Sequence, residues 1–526
     1  MSEVTLTISD IASYSTLKSA MEDYRSQGIT KVNFPALQGT GVKSYTIPSD
    51  GNFIQLPPQV DFKGWTIIAE NHKYNGTAYV KCPLFSIEKR SNERITGFQL
   101  TKADVDRGDY TMCPELCSGR KLLILTDQNE WTYRTDSNDT GPFLRHDIIA
   151  LNDGVPENRP IAPWDTPSTA LYCYYYETNN YPVIIENLTF KRYLDPGYMG
   201  NNVPRIEYEI AKLIRVDGKY DVTFRNITVD FMPPRDNIET LTPDGDSCFE
   251  IYNSAHVKFS NITVNGTYSK LNKYGYAFYL DNVYDTSFHN VYAMGLWGVI
   301  GTKSLNRAFL KDCVMNRFDI HCYGRDVKCM YCTFENEQTD AICKSCDYGS
   351  MYGTLYYEKC IFNKIRPLLL PDSYHAYTGF DFVMDSCIID TPNQNSTIIC
   401  AGLVDNLPQS RRPELQNINW PNVHIINLKL HDFSENSSLS LFTLNSAPVN
   451  PTVNTIGYIS QATVSYGKWT DEDKLIYPDV NVGSLAVPLS ITLNFSNYSS
   501  SLQFDNQLIL QSANDDEYFN DMNNNN

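Results

Sequence analysis

The sequence predicts an all-β fold: a right-handed parallel β-helix with an N-terminal capping helix and a small C-terminal β-rich region. Three observations point there. Nine segments repeat one pattern, a small polar residue flanked by apolar alternation: IIENLTF, VTFRNITV, VKFSNITV, TSFHNVYA, AFLKDCVM, VKCMYCTF, LYYEKCIF, FVMDSCII and VHIINLKL. The shared position holds Asn187, Asn226, Asn261, Asn290, Cys313, Cys332, Cys360, Cys387 and Asn427. Its spacing runs from 19 residues (332 minus 313) to 40 (427 minus 387), while the local chemistry stays fixed. Fixed chemistry at variable length is the mark of a solenoid with loop insertions. The segments are short, rich in Val, Ile, Phe and Thr, and alternate with period two, which is the pattern of strands with one buried face. They are not joined in pairs by Asn-Gly turns, so a hairpin meander is disfavoured. The dense leucines and helices of a leucine-rich horseshoe are absent. The repeated Asn is expected at a bend, facing inward, bonding the turn and the identical amide of the next coil. Cys is expected to replace it in four successive coils as a small residue stacked along the same inner line.

The elements follow in order. Residues 15–28 read as one amphipathic helix, with Leu17, Ala20, Met21 and Tyr24 on one face, Ser15 as N-cap and Gly28 as C-terminal stop. It would cover the open first coil and hide edge backbone groups. Residues 1–80 hold this cap and the first strands (KVNFPA, SYTIP, VDFKGWTIIAEN). Residues 81–182 read as early coils with an elaborated loop, including the tyrosine cluster LYCYYYE. Coils proper span 183–430. Residues 431–526 are expected to hold a last coil, a small antiparallel unit and a disordered Asn-rich end.

Composition narrows the function. The chain has 526 residues, with 43 Lys and Arg against 61 Asp and Glu, a net charge of −18. Such a surface repels nucleic-acid phosphates, and no basic stripe reverses it. No apolar stretch approaches the length of a membrane span. The start MSEVTLTISD has no basic head or apolar core, so the expectation is a protein made in a cytoplasm or one whose leader has been removed. The fourteen cysteines are expected to be reduced. Asn187, Asn226, Asn261, Asn265 and Asn436 stand in Asn-X-Ser/Thr sequons, read here as products of the repeat rather than glycan acceptors.

The sharpest local feature is Arg317-Phe-Asp-Ile-His-Cys-Tyr-Gly-Arg-Asp326. On a strand, Arg317, Asp319, His321 and Tyr323 share one face, while Phe318, Ile320 and Cys322 face the other. The segment lies in the two shortest spacings, which would form the floor of a groove. His321 and Asp340 stand at the same offset from Cys313 and Cys332, which would set them on neighbouring coils about 4.8 Å apart. Asp319, His321 and Asp340 are the candidate catalytic groups, suited to acid–base work on a glycosidic bond. Arg317, Tyr323, Arg325 and Trp297 are the candidate substrate contacts. The same cluster also suits a salt-bridge network that stiffens the stack. Asp230, Asp281, Asp285, Glu335 and Glu337 lie on or beside coils, but no carboxylate pair can be singled out. Cys329-x2-Cys332 and Cys343-x2-Cys346 have zinc-like spacing. On an extended strand the first two thiols point to opposite faces, so no metal site is expected, and no cofactor is.

The order of capping helix, KVNFPA…YTIP, LPPQVDFKGWTII, long repeat section and RFDIH resembles the pectate-lyase-like β-helix proteins, in particular those of phage tail spikes. Their Arg-x-Asp-x-His segment is matched by Arg317, Asp319 and His321, and LLILTDQNEWTYRTD is similar to an early strand segment. The resemblance covers roughly residues 10–430 and is specific for fold rather than chemistry. The Gly-His-Gly motif of polygalacturonases is absent. The resemblance implies a virion tail spike or fibre protein, made in the host cytoplasm, that binds host cell-surface glycan with or without depolymerase activity. It also implies a homotrimer attached to other tail proteins through an adaptor or its C-terminal part. The competing reading is a stand-alone polysaccharide-degrading hydrolase or lyase of a bacterium, secreted with its leader removed.

Overall fold

The computed structural model describes residues 2–37, 39–47, 53–71, 84–88, 93–98, 100–134, 141–161, 164, 171–178, 181–193, 213–232, 247–266, 276–295, 299–301, 304–335, 345–370, 380–390, 396–401, 422–431, 439–444, 462–466 and 491–495. Glu3–Thr5 pairs in parallel with Lys31–Asn33, which pairs with Gln59–Asp61, which pairs with the start of Val183–Tyr193. From there each strand lies parallel on the one before: Tyr220–Met232, Ser247–Asn265, Tyr276–Met294, Leu305–Lys311, Phe318–Met330 and Ser345–Glu358. Asp381–Asp385, Asn422–His431, Ala462–Tyr466 and Ile491–Phe495 extend the ladder. This is a parallel β-helix. The pairings of the strands described beyond residue 431 are parallel too, so the antiparallel unit expected there is not found among the described residues.

The inner faces stack like on like. Phe224 and Phe259 lie 5.1 Å apart at 10°, Phe259 and Phe288 4.8 Å apart at 11°, and Phe249 and Phe278 5.1 Å apart at 11°. In-register parallel strands hold identical side chains about 4.8 Å apart, so these offset stacks follow from the pairing. Each adds roughly 0.5–1.5 kcal/mol beyond area burial.

The corners corrected the expected ladder. Asn187, Asn226, Asn261 and Asn290 all have φ between 53° and 59°, the left-handed region that Asn tolerates. Their amides point outward rather than inward, and each donates to the coil below. Asn187 donates to Asp61 Oδ1 at 2.9 Å, Asn226 to Asn187 at 3.0 Å, Asn261 to Asn226 at 3.1 Å and Asn290 to Asn261 at 2.8 Å. The reading of these sequons as inward-facing is therefore overturned. The cysteines do not replace the Asn. His289 faces Lys311 and Tyr292 faces Val314, which sets Asn290 opposite Asp312 and Val291 opposite Cys313. Left-handed φ passes to Asp312, Tyr331, Lys359 and Ser386, and the thiols stand one residue later, inside the core. Cys329 and Cys332 both face the core, because the bend at Tyr331 lies between them, so the opposite-face argument fails. Cys343 lies outside the described residues. No metal-binding cluster occurs among those described.

The cap helix is Tyr14–Ser26, against the expected 15–28. Ser13, not Ser15, is the N-cap: its Oγ accepts from the Thr16 N–H at 3.2 Å, and the Thr16 hydroxyl accepts from the Ser13 N–H at 3.0 Å. Gly28, at φ 73°, ends it. Leu17 and Met21 are fully buried in the same apolar cluster as the coils.

Between the early and main coils in sequence, the elaborated stretch contains an antiparallel sheet. Arg120–Arg134 pairs antiparallel with Gly141–Asn152 and with Tyr172–Glu177. Both faces are buried, which explains the continuous apolar run LLILT. Leu123, Leu125, Ile149 and Leu151 pack around Val105 and Trp164. Leu122, Ile124, Ile148, Tyr174 and Tyr176 pack on Tyr220, Ala255 and Tyr284 at a corner of the coils.

Candidate functional site

Parallel register assembles the site from residues far apart in sequence. Ser86, Arg215, Glu250 and Tyr279 occupy one column of consecutive strands, which continues through Ile300 to Asp319. Glu88, Asp217, Tyr252 and Asp281 form the next column. Their neighbours Phe249, Ile251, Phe278, Leu280, Phe318 and Ile320 belong to the core, so period two turns both polar columns outward.

The Arg-x-Asp-x-His segment lies at one end. Asp319 is fully buried and Arg317 is 4% exposed, so this outward cluster is not a solvated one. Arg317 Nε lies 2.7 Å from Asp319 Oδ2. The hydroxyl of Tyr276 donates to the same oxygen at 2.9 Å and accepts from Arg317 Nη2 at 2.9 Å. His321 Nε2 stands 3.2 Å from that hydroxyl and 3.7 Å from Asp319 Oδ2. With its one proton given to Asp319, Tyr276 accepts from His321 only when Nε2 carries hydrogen. His321 is the member of the group that reaches the surface. Between Ile320 and Tyr323 this strand holds one residue more than its neighbour, a bulge at the histidine.

At the other end Arg215 Nη2 binds Glu250 Oε2 at 2.8 Å, and its Nε lies 3.8 Å from Glu88. The guanidinium lies 5.3 Å from the centroid of the Tyr252 ring, and Tyr252 and Tyr279 are adjacent at 5.5 Å. Burial raises the Tyr252 hydroxyl well above its ordinary value, so it keeps its proton. Burial likewise pushes Asp217 up to about 6, against the amide bond from Asn253.

The structure thus brings Arg317, Asp319 and His321 together and turns two other expected contacts elsewhere. Tyr323 is fully buried against Ile161, and its hydroxyl accepts the His146 N–H. Arg325 donates to the Ile161 carbonyl at 3.1 Å. Both residues seam the antiparallel sheet to the coils. Asp340 and Trp297 lie outside the described residues, as does Glu337. Of the other carboxylates, Asp230 takes the Asn265 amide at 2.8 Å, Glu335 takes the Asn363 amide at 3.2 Å, and Asp285 binds His256 and Arg307. Sequence reading missed Tyr276, Glu250, Tyr252 and Tyr279. The available signal was outward parity in CFEIYN and YAFYLD, where polar or aromatic residues alternate with core positions.

No family model matches this chain. No curated protein matches it either. Among solved structures it is similar to the Gp54 tailspike of Acinetobacter baumannii bacteriophage AP22, solved in complex with A. baumannii capsular saccharide. The identity is 9%, the match covers 82% of this chain and 77% of that one, and the TM-score is 0.34. Among the described residues no helix is long and apolar enough to cross a membrane.

Proposed function

We propose that this chain is a tail-spike-type β-helix protein that binds a host surface polysaccharide along its two outward polar columns. The observation that carries the reading is the Tyr252–Tyr279 pair, two rings on consecutive coils at 5.5 Å, lying between Arg215–Glu250 and Arg317–Asp319–His321. Aromatic faces pack against the apolar face of a sugar ring, while carboxylates and guanidinium groups bond its hydroxyls. The columns run along the stack axis, so they suit an extended chain better than a compact ligand.

The finer parts of the reading follow the same line: a virion location, a homotrimer and attachment to other tail proteins. Light scattering that gives the mass of three chains supports the trimer, and a stable monomer at micromolar concentration removes it. The test of binding is retention on immobilised polysaccharides, with Tyr252→Ala and Tyr279→Ala each reducing affinity about tenfold, the weight of roughly 1.4 kcal/mol. Retention unchanged by both variants sinks the site. A second reading, cleavage of the bound glycan, is favoured by the hydrogen bond between His321 and Tyr276. It predicts new reducing ends or unsaturated uronate absorbance that His321→Ala abolishes while retention persists.

A further inference from the structure

We infer that a second face of the coils binds an acidic polysaccharide, with sugar carboxylates on Lys258, Lys311 and Lys328 and a sugar ring on Phe309. This face is separate from the Tyr252–Tyr279 columns. On Ser247–Asn265 the two are divided by a bend at Asn253 and His256, both in the left-handed region at φ 44° and 53°. The inference does not rest on the reading of the other face.

Register assembles the site. Lys258 faces Ser287, Ser287 faces Phe309, and Phe309 faces Lys328, one column on four consecutive coils. His289 faces Lys311 in the column beside it. The flanking residues Val257, Phe259, Phe288, Leu310, Val327 and Cys329 belong to the core, so period two turns both columns outward. Three steps of about 4.8 Å put Lys258 and Lys328 about 14 Å apart along the stack. No linear stretch shows this basic stripe, because VKFSN, FLKDC and VKCM bring one lysine each.

The charge of this face is opposite to the net −18 of the chain. Lys258 is exposed and Lys311 half-buried, and neither enters an ion pair among the described residues. Lys328 Nζ lies 3.7 Å from Glu358 and 5.0 Å from the centroid of the Tyr356 ring. A part-exposed pair of that length is worth little and leaves the ammonium able to turn to a ligand. His289 stands 3.6 Å from Asp312 at the corner. The carboxylates along the borders are held by guanidinium groups: Asp221 by Arg120 at 2.7 Å, Asp285 by Arg307 at 2.8 Å, and Glu186 by Arg225. The Debye length at physiological ionic strength is about 8 Å, so a ligand lying here senses these lysines more than the distant acidic surface.

Phe309 decides the class of anion. Its ring is half-buried and points outward between Ser287 and Lys328, on a column that otherwise presents polar groups. An aromatic face suits the apolar face of a sugar ring. A nucleic-acid duplex would bring phosphates to the lysines but keep its bases stacked inside. The stripe follows the stack axis, which fits an extended polymer with repeating charge.

The experiment measures retention of the full chain at low salt on immobilised polygalacturonate, hyaluronate, dextran and duplex DNA. The expected result is retention on at least one acidic polysaccharide that exceeds retention on dextran and falls with added salt. Lys258→Gln together with Lys311→Gln should weaken it about tenfold, and Phe309→Ser should weaken it as well. Lys18→Gln together with Lys102→Gln, the same change of net charge elsewhere, should leave it in place. Retention that survives the Lys258 and Lys311 changes, or that Tyr252→Ala abolishes instead, overturns the inference. Equal retention on duplex DNA with the same lysine dependence overturns the assignment to a glycan. No retention on either acidic polysaccharide overturns the inference and leaves the Tyr252–Tyr279 site to its own test.

Discussion

The hydroxyl of Tyr276 donates to Asp319 across 2.9 Å, joining residues on strands two coils apart. Asp319 is fully buried, and its carboxylate is tolerated there because Arg317 and Tyr276 both engage it. Tyr276→Phe removes one donor and leaves the ring. The expected cost is about 1–3 kcal/mol of stability, the usual penalty for a buried acceptor losing a partner. Arg317→Met leaves the carboxylate uncompensated and should cost more, about 3–5 kcal/mol. Urea unfolding of the two variants checks the order; equal or negligible losses would show that Asp319 draws its support from elsewhere.

His256 gives a pH dependence. Its Nε2 lies 2.6 Å from Glu157 Oε2 on the inserted segment, and its Nδ1 lies 2.5 Å from Asp285 Oδ2 on the coils. Arg307 binds the other Asp285 oxygen at 2.8 Å, Tyr220 donates to Glu157, and Arg120 reaches Asp221 at 2.7 Å. The rings of Tyr220 and Tyr284 flank the imidazole at 4.8 and 5.4 Å. Burial alone would push the histidine down, but the Asp285 and Glu157 bonds raise it to about 9. A folded value above the unfolded value of about 6.5 means that the contribution is complete below pH 6.5 and lost as pH rises through 9. Its size is on the order of 3 kcal/mol. The lowering of Asp285 to about 2 is in part the His256 interaction seen from the acid side and in part the hold of the Arg307 guanidinium. His256→Gln should flatten the fall in stability between pH 6.5 and 9, measured by denaturation across that range. A wild-type curve already flat there contradicts the assignment.

Part of this was legible in the sequence, and the rest was hidden for physical reasons. The period-two alternation around Asn226, Asn261 and Asn290 was enough for parallel coils, because a buried sheet face imposes it locally. The same alternation set Arg317, Asp319 and His321 on one face. It could not show that Cys313 aligns with Val291 rather than Asn290, since Asn-Val and Asp-Cys look alike until register is known. Nor could it show the antiparallel sheet: a strand with both faces buried, as in LLILT, has no alternation to read. Tyr276 is 43 residues from Asp319, so only the lengths of the intervening coils, not any local motif, bring them together.

Asn261 sits in the middle of the outer ladder, donating to Asn226 and accepting from Asn290 at 3.1 and 2.8 Å with φ 54°. Asn261→Ala loses two amide bonds and places a Cβ residue without a compensating side chain in left-handed geometry. The expected cost is about 2–4 kcal/mol, combining roughly 0.5–1.5 per bond with about 1 for the backbone. Asn261→Gly loses the same bonds but suits the backbone, so it should cost less. If Gly proves as harmful as Ala, the corner conformation contributes nothing.

The inner thiols offer a test of burial. Cys313, Cys332, Cys360 and Cys387 are each at most 1% exposed. Cys360 Sγ lies 3.3 Å from the Cys329 carbonyl, and Cys387 Sγ lies 3.4 Å from the Tyr357 carbonyl. Burial holds Cys329 and Cys360 well above the ordinary thiol range, so at those two positions the reactive thiolate is scarce as well as shielded; at the other ladder positions burial alone is the shield. A soluble disulfide reagent should label none of these ladder thiols in the native protein and all of them in denaturant. Cys332→Ala should be mild, about 1 kcal/mol, because the site loses one small sulfur. Cys332→Val tests the opposite error: added volume between Cys313 and Cys360 should cost about 1–3 kcal/mol through overpacking. Native labelling at the rate of a free thiol would mean that the coils open along this line, and the in-register stacking of the core could not then be as rigid as the Phe224–Phe259 and Phe259–Phe288 spacings require.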